Sequence, residues 1–367
     1  MFAIPAILYT SAYFLIITIL TIFLSIKYAS YSDDRLSLQF TSLPIGSLIL
    51  TIGLIFFIGF RPISGLFTDM LNYVVSYNVT LGQRFLFELD LPNPIFDNLF
   101  NYFASSGYDI TYFFLMMSLI YFGGIFIACN KIFPKDSLFA IVIYLAAFST
   151  FSYAVNGIKA GAAASIFLCA IAYWRKFLPV IILLAFSYGF HHSMILPIVA
   201  FIIAYFYRNI KIYFICWVIC IIISAAQISY FQEFFASISD EGGASYLINN
   251  NSGYRSGFRF DFVIYSAAPI LLGLYLIYKR GYHSDTYNFI FCLYTLVNAV
   301  WILCIYASFT NRIAYLSWFM LPIMLIYPFL DYKFEDNQYK KLNWVAWGNL
   351  CFSLIMIFYV YGKPIVL

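Results

Sequence analysis

Asn156-Gly157-Ile158-Lys159-Ala160-Gly161-Ala162-Ala163-Ala164-Ser165 opens a stretch that runs on to His191-His192-Ser193, and its pattern of polarity decides how the chain is built. Behind the small-residue run an apolar segment reaches Trp174-Arg175-Lys176, and a second apolar segment leads from there to the paired histidines. Between these polar corners there is almost nothing but hydrocarbon and aromatic rings. Two apolar helices joined by a basic turn place Lys159, at the head of the first, and the histidines, at the tail of the second, on the same side of a membrane. That is the arrangement of a site.

The rest of the chain repeats the pattern. Of 367 residues, 63% are hydrophobic, 22% aromatic and only 10% charged, which excludes an ordinary soluble domain and disorder alike. Helices are expected over about 4–26, 41–60, 110–128, 138–155, 158–174, 177–191, 193–207, 211–230, 261–278, 286–307, 312–330 and 342–361. The fold class is therefore all-α, a polytopic transmembrane helical protein of about 12 transmembrane helices. The first run is too long for a cleaved signal segment and lacks a small-residue cleavage site, so it reads as a transmembrane helix. Seven cysteines are spread singly with no CxxC pair, and they read as small apolar residues rather than metal ligands.

Basic residues in the connections divide thirteen to seven between alternate sides, which assigns the richer side to the cytoplasm and turns both termini outward. The seven on the outer side are Arg61, Arg84, Lys159, Arg255, Arg259, Arg312 and Lys363. Two outward-facing loops are long, about 61–109 and 231–260, and suggest a functional face pointing away from the cytoplasm. In the first, Asn93-Pro94 followed by Asp97 has the form of a helix cap and first turn. Ile95, Phe96, Leu99, Phe100 and Phe103 recur at helical spacing behind it, as in an amphipathic helix lying in the outer interface. No internal repeat and no low-complexity linker is visible, so residues 1–367 read as a single integral membrane domain.

Lys159 stands one turn after the Asn-Gly break, at a helix N-terminus whose free N–H groups and dipole favour an anion. Asn156, three residues before it, is expected to share its face. A lysine reaching for lipid headgroups is the plainer reading. Arg312 follows Asn311 at the outer start of another helix, with Tyr315 one turn on. Arg61 ends the second helix, and Asp69 and Tyr73 follow at a spacing of four. Guanidinium forks suit phosphate oxygens, although cations at membrane edges also serve as anchors. His191 and His192 fit a metal pair, a proton-transfer pair or interface residues, and only His283 could add a further imidazole. Arg255, Arg259 and Asp261, among Tyr254 and Phe258, suit sugar stacking and anion contact or an ordinary headgroup loop. The chain has no Walker A loop, GxSxG elbow, HExxH pair or Asp-x-Asp motif, and no charge run for nucleic acid. The ligand expected is anionic, a phosphate-bearing lipid handled without nucleotide, metal or cofactor.

These residues, in this order, resemble the EpsG-like branch of the Wzy-type polysaccharide polymerases of bacterial membranes. The resemblance is carried by Arg61 with Thr68-Asp69-x-x-x-Tyr73, by Glu88 and Pro94-Ile95-Phe96, by Asn156-Gly157-Ile158 and its cation, by His191-His192-Ser193, and by Asn311-Arg312-x-x-Tyr315. Where Arg-Gln is commoner in such proteins, this chain has Lys159-Ala160. The resemblance implies a GT-C-like arrangement in the bacterial cytoplasmic membrane with its active face periplasmic or extracellular. It implies an O-antigen, capsule or exopolysaccharide polymerase that joins oligosaccharide repeat units carried on undecaprenyl diphosphate, both donor and acceptor being lipid-linked. A chain-length regulator protein is a candidate partner. Arg61, Asn156, Lys159 and Arg312 would contact the diphosphate. Asp69, then His191 or His192, would orient or deprotonate the acceptor hydroxyl, and Tyr73, Glu88, Ser193, Arg255, Arg259 and Tyr315 would line the substrate. A flippase of the same lipid-linked saccharide and an O-antigen ligase are the alternatives; the near-absence of charge in mid-segment weighs against the first.

Overall fold

The computed structural model describes residues 4–29, 45–226, 257–307, 310–334 and 338–366. Every regular element among them is helical, as the composition demands of a chain whose backbone must satisfy itself in hydrocarbon. Among the described residues six helices are long and apolar enough to cross a membrane, and five further apolar helices are shorter. One pair, Ser137–Ala146 and Phe148–Val155, completes the set but is bent by 78° at its junction. These twelve apolar segments coincide one for one with the expected runs, and the protein is a multi-pass membrane protein. Most of the expected second outer loop, with Arg255, lies outside the described residues.

By contact the chain divides into two compact units, Met1–Ile195 with Lys333–Leu367, and Leu196–Tyr332. The first contains α1 (Tyr9–Ala29), α2 (Ile45–Gly59), α3 (Met70–Thr80), α4 (Pro94–Ser105), α5 (Ile110–Ile132), α6 (Ser137–Ala146), α7 (Phe148–Val155), α8 (Ile158–Ala172) and α9 (Phe177–Phe190). The second contains nearly all of α10 (Ile195–Phe206), then α11 (Ile210–Ala225), α12 (Phe260–Arg280), α13 (Asp285–Leu303), α14 (Thr310–Trp318) and α15 (Leu321–Asp331). The last helix, α16 (Gln338–Leu354), returns to the first unit and packs on α1, α6 and α7.

At the centre of the first unit α8 lies against α5, α7 and α9, and its small-residue run is what permits this. A Cβ at Gly161 would stand 2.8 Å from the Tyr153 carbonyl oxygen, and one at Gly124 of α5 would stand 2.7 Å from Ser165. Gly161, Ala162, Ala163, Ala164 and Ser165 are all buried, the close small-residue packing that membrane helices use.

The apolar run 138–155, expected as one helix, is broken at Ala147. Breaking a helix orphans its last carbonyls, and here each of the four finds a donor. Ile143 O accepts from Asn349 at 3.0 Å, Tyr144 O from the Thr150 hydroxyl at 2.6 Å, Leu145 O from the Tyr13 hydroxyl at 2.8 Å and Ala146 O from Ser353 at 2.7 Å. The break is therefore part of the packed fold.

The helix expected at the outer interface is present as α4, with one difference. Its apolar stripe faces protein: Phe96 and Phe100 are buried, and the Phe113 ring of α5 lies 5.5 and 5.1 Å from theirs. Gly189 of α9 admits α4 from the other side, since a Cβ there would stand 2.6 Å from Ile95.

Candidate functional site

Arg61 opens the loop just past α2, and it is only 3% exposed. One guanidinium nitrogen donates to Ile58 O at 2.8 Å and another to Val155 O at 3.3 Å. One cation thus serves the carbonyl ends of α2 and α7, where the helix dipole is negative. The Phe114 ring lies 4.8 Å and the Phe67 ring 5.6 Å from the guanidinium carbon. Burial pulls Arg61 down to about 10, opposed by Tyr9 and Tyr73, so it stays charged at neutral pH. Its Nε has no hydrogen-bond partner among the described residues.

Val155 is also the last residue of α7, and from it the chain turns through Asn156 and Gly157 into α8. Asn156 thus belongs to the corner and not, as the spacing suggested, to the helix face that carries Lys159. Its buried Oδ1 has no donor among the described residues. Lys159, half-buried in the first turn of α8, places Nζ 5.5 Å from the centroid of Phe96. The Tyr73 ring of α3 lies 6.0 Å from the same phenyl. Asp69 is half-buried at the head of α3, and its carbonyl accepts the Tyr73 N–H at 3.3 Å.

Three residues before Phe96, Asn93 occupies the cap position of α4, yet its side chain does not cap the helix. Asp97 instead turns back to accept the Asn93 N–H at 2.9 Å. Asn93 is 3% exposed, and its Oδ1 meets the end of α9: it accepts the His192 N–H at 3.1 Å and lies 3.3 and 3.1 Å from Nδ1 of His191 and His192. The two imidazoles are half-buried and stand edge to face, 5.2 Å apart. Ser193 follows, half-buried, in the short turn His192–Met194. Arg61, Tyr73, Asn156, Lys159, His191 and His192 are thereby linked through α4 and the α7–α8 corner. Glu88 has an exposed side chain, and it is its backbone that is held, the Asn98 amide taking both its N–H and its carbonyl.

The remaining candidates fall in the second unit. Arg259 forks onto Asp261 with distances of 2.9 and 2.6 Å and lies 3.7 Å over the Phe262 ring, so its planar face and two of its donors are engaged within its own helix start. Arg312 is exposed, and Tyr315 is buried with its hydroxyl 3.4 Å from the Asn311 amide nitrogen.

Sequence reasoning missed Asn93 and Asn98 as site-building residues. Nothing in the sequence signalled Asn93, because Asn-Pro before an apolar stripe reads as an ordinary cap.

A family model described as the EpsG family matches residues 44–365, which takes in all of these positions. No curated protein and no solved structure matches the chain.

Proposed function

The chain belongs to the EpsG family, and on that premise we propose that it polymerises undecaprenyl-diphosphate-linked oligosaccharide repeat units on the outer face of the bacterial cytoplasmic membrane. Membership supports a polysaccharide-polymerase role; the carrier, the face and the residue roles are our own reading. The observation that carries it is the meeting of Lys159 and the His191–His192 pair at the start of α4, with the Asn156 corner heading the helix that carries Lys159.

In this mechanism an acceptor hydroxyl oxygen attacks the anomeric carbon of the donor sugar. The new C–O bond forms as the bond from that carbon to the diphosphate oxygen breaks, and undecaprenyl diphosphate leaves with the bonding pair. Lys159, at the positive end of α8, offsets the charge that builds on the leaving group. The hydroxyl proton passes to Asp69 or to a neutral imidazole of His191 or His192. Asn156 takes a narrower role than diphosphate contact. A buried acceptor lacking a donor suits a sugar hydroxyl, which can donate, better than a phosphate oxygen, which cannot. Arg61, buried against two carbonyls and two rings, is assigned to holding the corner that presents Asn156 and Lys159.

The test is a surface-glycan length ladder from cells carrying Lys159→Ala or Lys159→Arg. We expect Lys159→Ala to leave carriers with a single repeat unit, and Lys159→Arg to restore part of the ladder. Long chains stranded on the carrier would make the protein a ligase, units trapped inside the cell a flippase, and an unchanged ladder would end the reading. Arg312→Ala, run beside them, tests the second unit's exposed cation.

A further inference from the structure

The imidazoles of His191 and His192 share one acceptor, Asn93 Oδ1, at 3.3 and 3.1 Å from their Nδ1 atoms. Which end of the amide faces them is set by the backbone. The His192 N–H, which can only donate, lies 3.1 Å from the same atom, so that atom is the oxygen. An amide oxygen accepts and never donates. A ring nitrogen held at hydrogen-bond distance from it therefore carries the proton, and the lone pair of a neutral imidazole is left on Nε2; with the His192 N–H on one lone pair, the two rings share the other, His192 at the shorter distance. Free imidazole side chains in water favour the opposite tautomer, with the proton on Nε2, so the arrangement is imposed by the fold.

The geometry points to Asn93 as a positioning residue that sets the Nδ1–H tautomer of the His191–His192 pair and so presents Nε2 as its proton acceptor. Asn93 is available for this because its side chain makes no cap hydrogen bond to α4; Asp97 accepts only the Asn93 backbone N–H. Its burial at 3% exposure keeps water from competing for the oxygen. The amide is neutral, and that matters chemically. A carboxylate at the same point would hold the same tautomer but would also favour the imidazolium, filling Nε2 with a proton. An amide orients the ring and leaves it a base. This inference rests on the polymerase reading only for its consequence, that Nε2 takes the proton of the attacking hydroxyl. The tautomer itself is measurable without substrate.

The measurement is the 15N spectrum of the full-length protein in lipid nanodiscs, labelled at histidine, above the pH at which the imidazoles are neutral. The chain has three histidines, so His191→Gln and His192→Gln assign the pair and His283 serves as reference. The expected result is protonated Nδ1 with unprotonated Nε2 at the pair, changing toward protonated Nε2 in Asn93→Leu. Asn93→Asp, whose carboxylate still accepts, is expected to keep Nδ1 protonated; should Asn93→Leu fail to fold, the native and Asn93→Asp spectra decide alone. Protonated Nε2 with bare Nδ1 at both rings of the native protein would overturn the inference, as would identical tautomers in the native protein and a folded Asn93→Leu. A pair with protonated Nδ1 in a protein whose glycan ladder ignores His191→Gln and His192→Gln would uphold the tautomer and remove the histidines from the polymerase mechanism.

Discussion

At Arg61 the cost of burying a cation is offset by two backbone carbonyls and two aromatic faces, and substitution can separate this holding role from ligand contact. Arg61→Met leaves the Val155 carbonyl unmet at about 1–3 kcal/mol and strips Ile58 O back to the backbone N–H of residue 61, less what is recovered by no longer desolvating a charge. The expected net loss is about 2 kcal/mol, read as a lower Tm in detergent. Arg61→Lys should fall between, because one ammonium replaces a fork that spans two helix ends. Unchanged Tm with lost polymer would return Arg61 to the diphosphate. Asp109 offers a second test at this scale. It heads α5, its carboxylate accepts the Thr111 N–H at 2.8 Å, and its hydrogen bonds to the Thr111 side chain and backbone hold its carboxyl below the usual range. A depressed folded value means stability that is full above the ordinary carboxylate range and lost as pH falls through the folded value. Asp109→Ala should therefore cost about 1 kcal/mol at neutral pH and progressively less toward strong acid. Asp109→Asn, which keeps an acceptor oxygen, should remove less at neutral pH. Thermal unfolding of the three proteins across pH checks both statements.

Among the elements, the broken pair α6–α7 decides where the Asn156 corner lies, and it is the part of the fold least visible in the sequence. Hydropathy is a property of side chains, and over 138–155 it is continuous. The break is instead held by carbonyls whose donors Asn349 and Ser353 stand 206 and 207 residues further along the chain. Nothing local announces such a pairing. Lys159 and the two histidines, by contrast, were legible because each is a polar group in an apolar stretch, and their shared side of the membrane followed from counting segments. Asn93 was hidden by its own neighbourhood, since Asn-Pro before an apolar stripe reads locally as a cap. Two predictions follow from the packing. Ser353→Ala and Asn349→Leu should each lower stability by about 1–3 kcal/mol, because each leaves a buried carbonyl unmet, and Tm measurements decide it. Gly189→Val should cost about 1–3 kcal/mol by overpacking against Ile95. It should also shorten the glycan ladder, because it moves α4, and Asn93 with it, away from the histidines. A full ladder from that variant would detach α4 from the chemistry.

For the molecule as a whole, sidedness is what ties the site to its substrate, and the first unit carries it in its long axis. At one end Tyr9 stacks on Phe57 at 4.7 Å and meets Phe67 at 5.8 Å, close to Arg61, while Ser11 accepts the Val366 N–H at 3.0 Å near the chain's end. At the other end of α1, Ser25 accepts from Asn343 and Trp347, and the Tyr28 hydroxyl bonds Asp136. The basic residues Lys27, Lys131, Lys135, Lys340 and Lys341 cluster in sequence about those contacts, so the lysine-rich end is the one remote from Arg61. On our proposal, positive charge retained on the cytoplasmic side would send Arg61, Lys159 and the histidines outward. In a background freed of the seven native cysteines, Arg84→Cys should label with an impermeant maleimide in intact cells, whereas Lys341→Cys should label only after permeabilisation. The reverse pattern would place the Lys159 corner in the cytoplasm with thirteen basic residues outside. A polymerase that draws on units already carried across the membrane would then have its cation and its base on the wrong face.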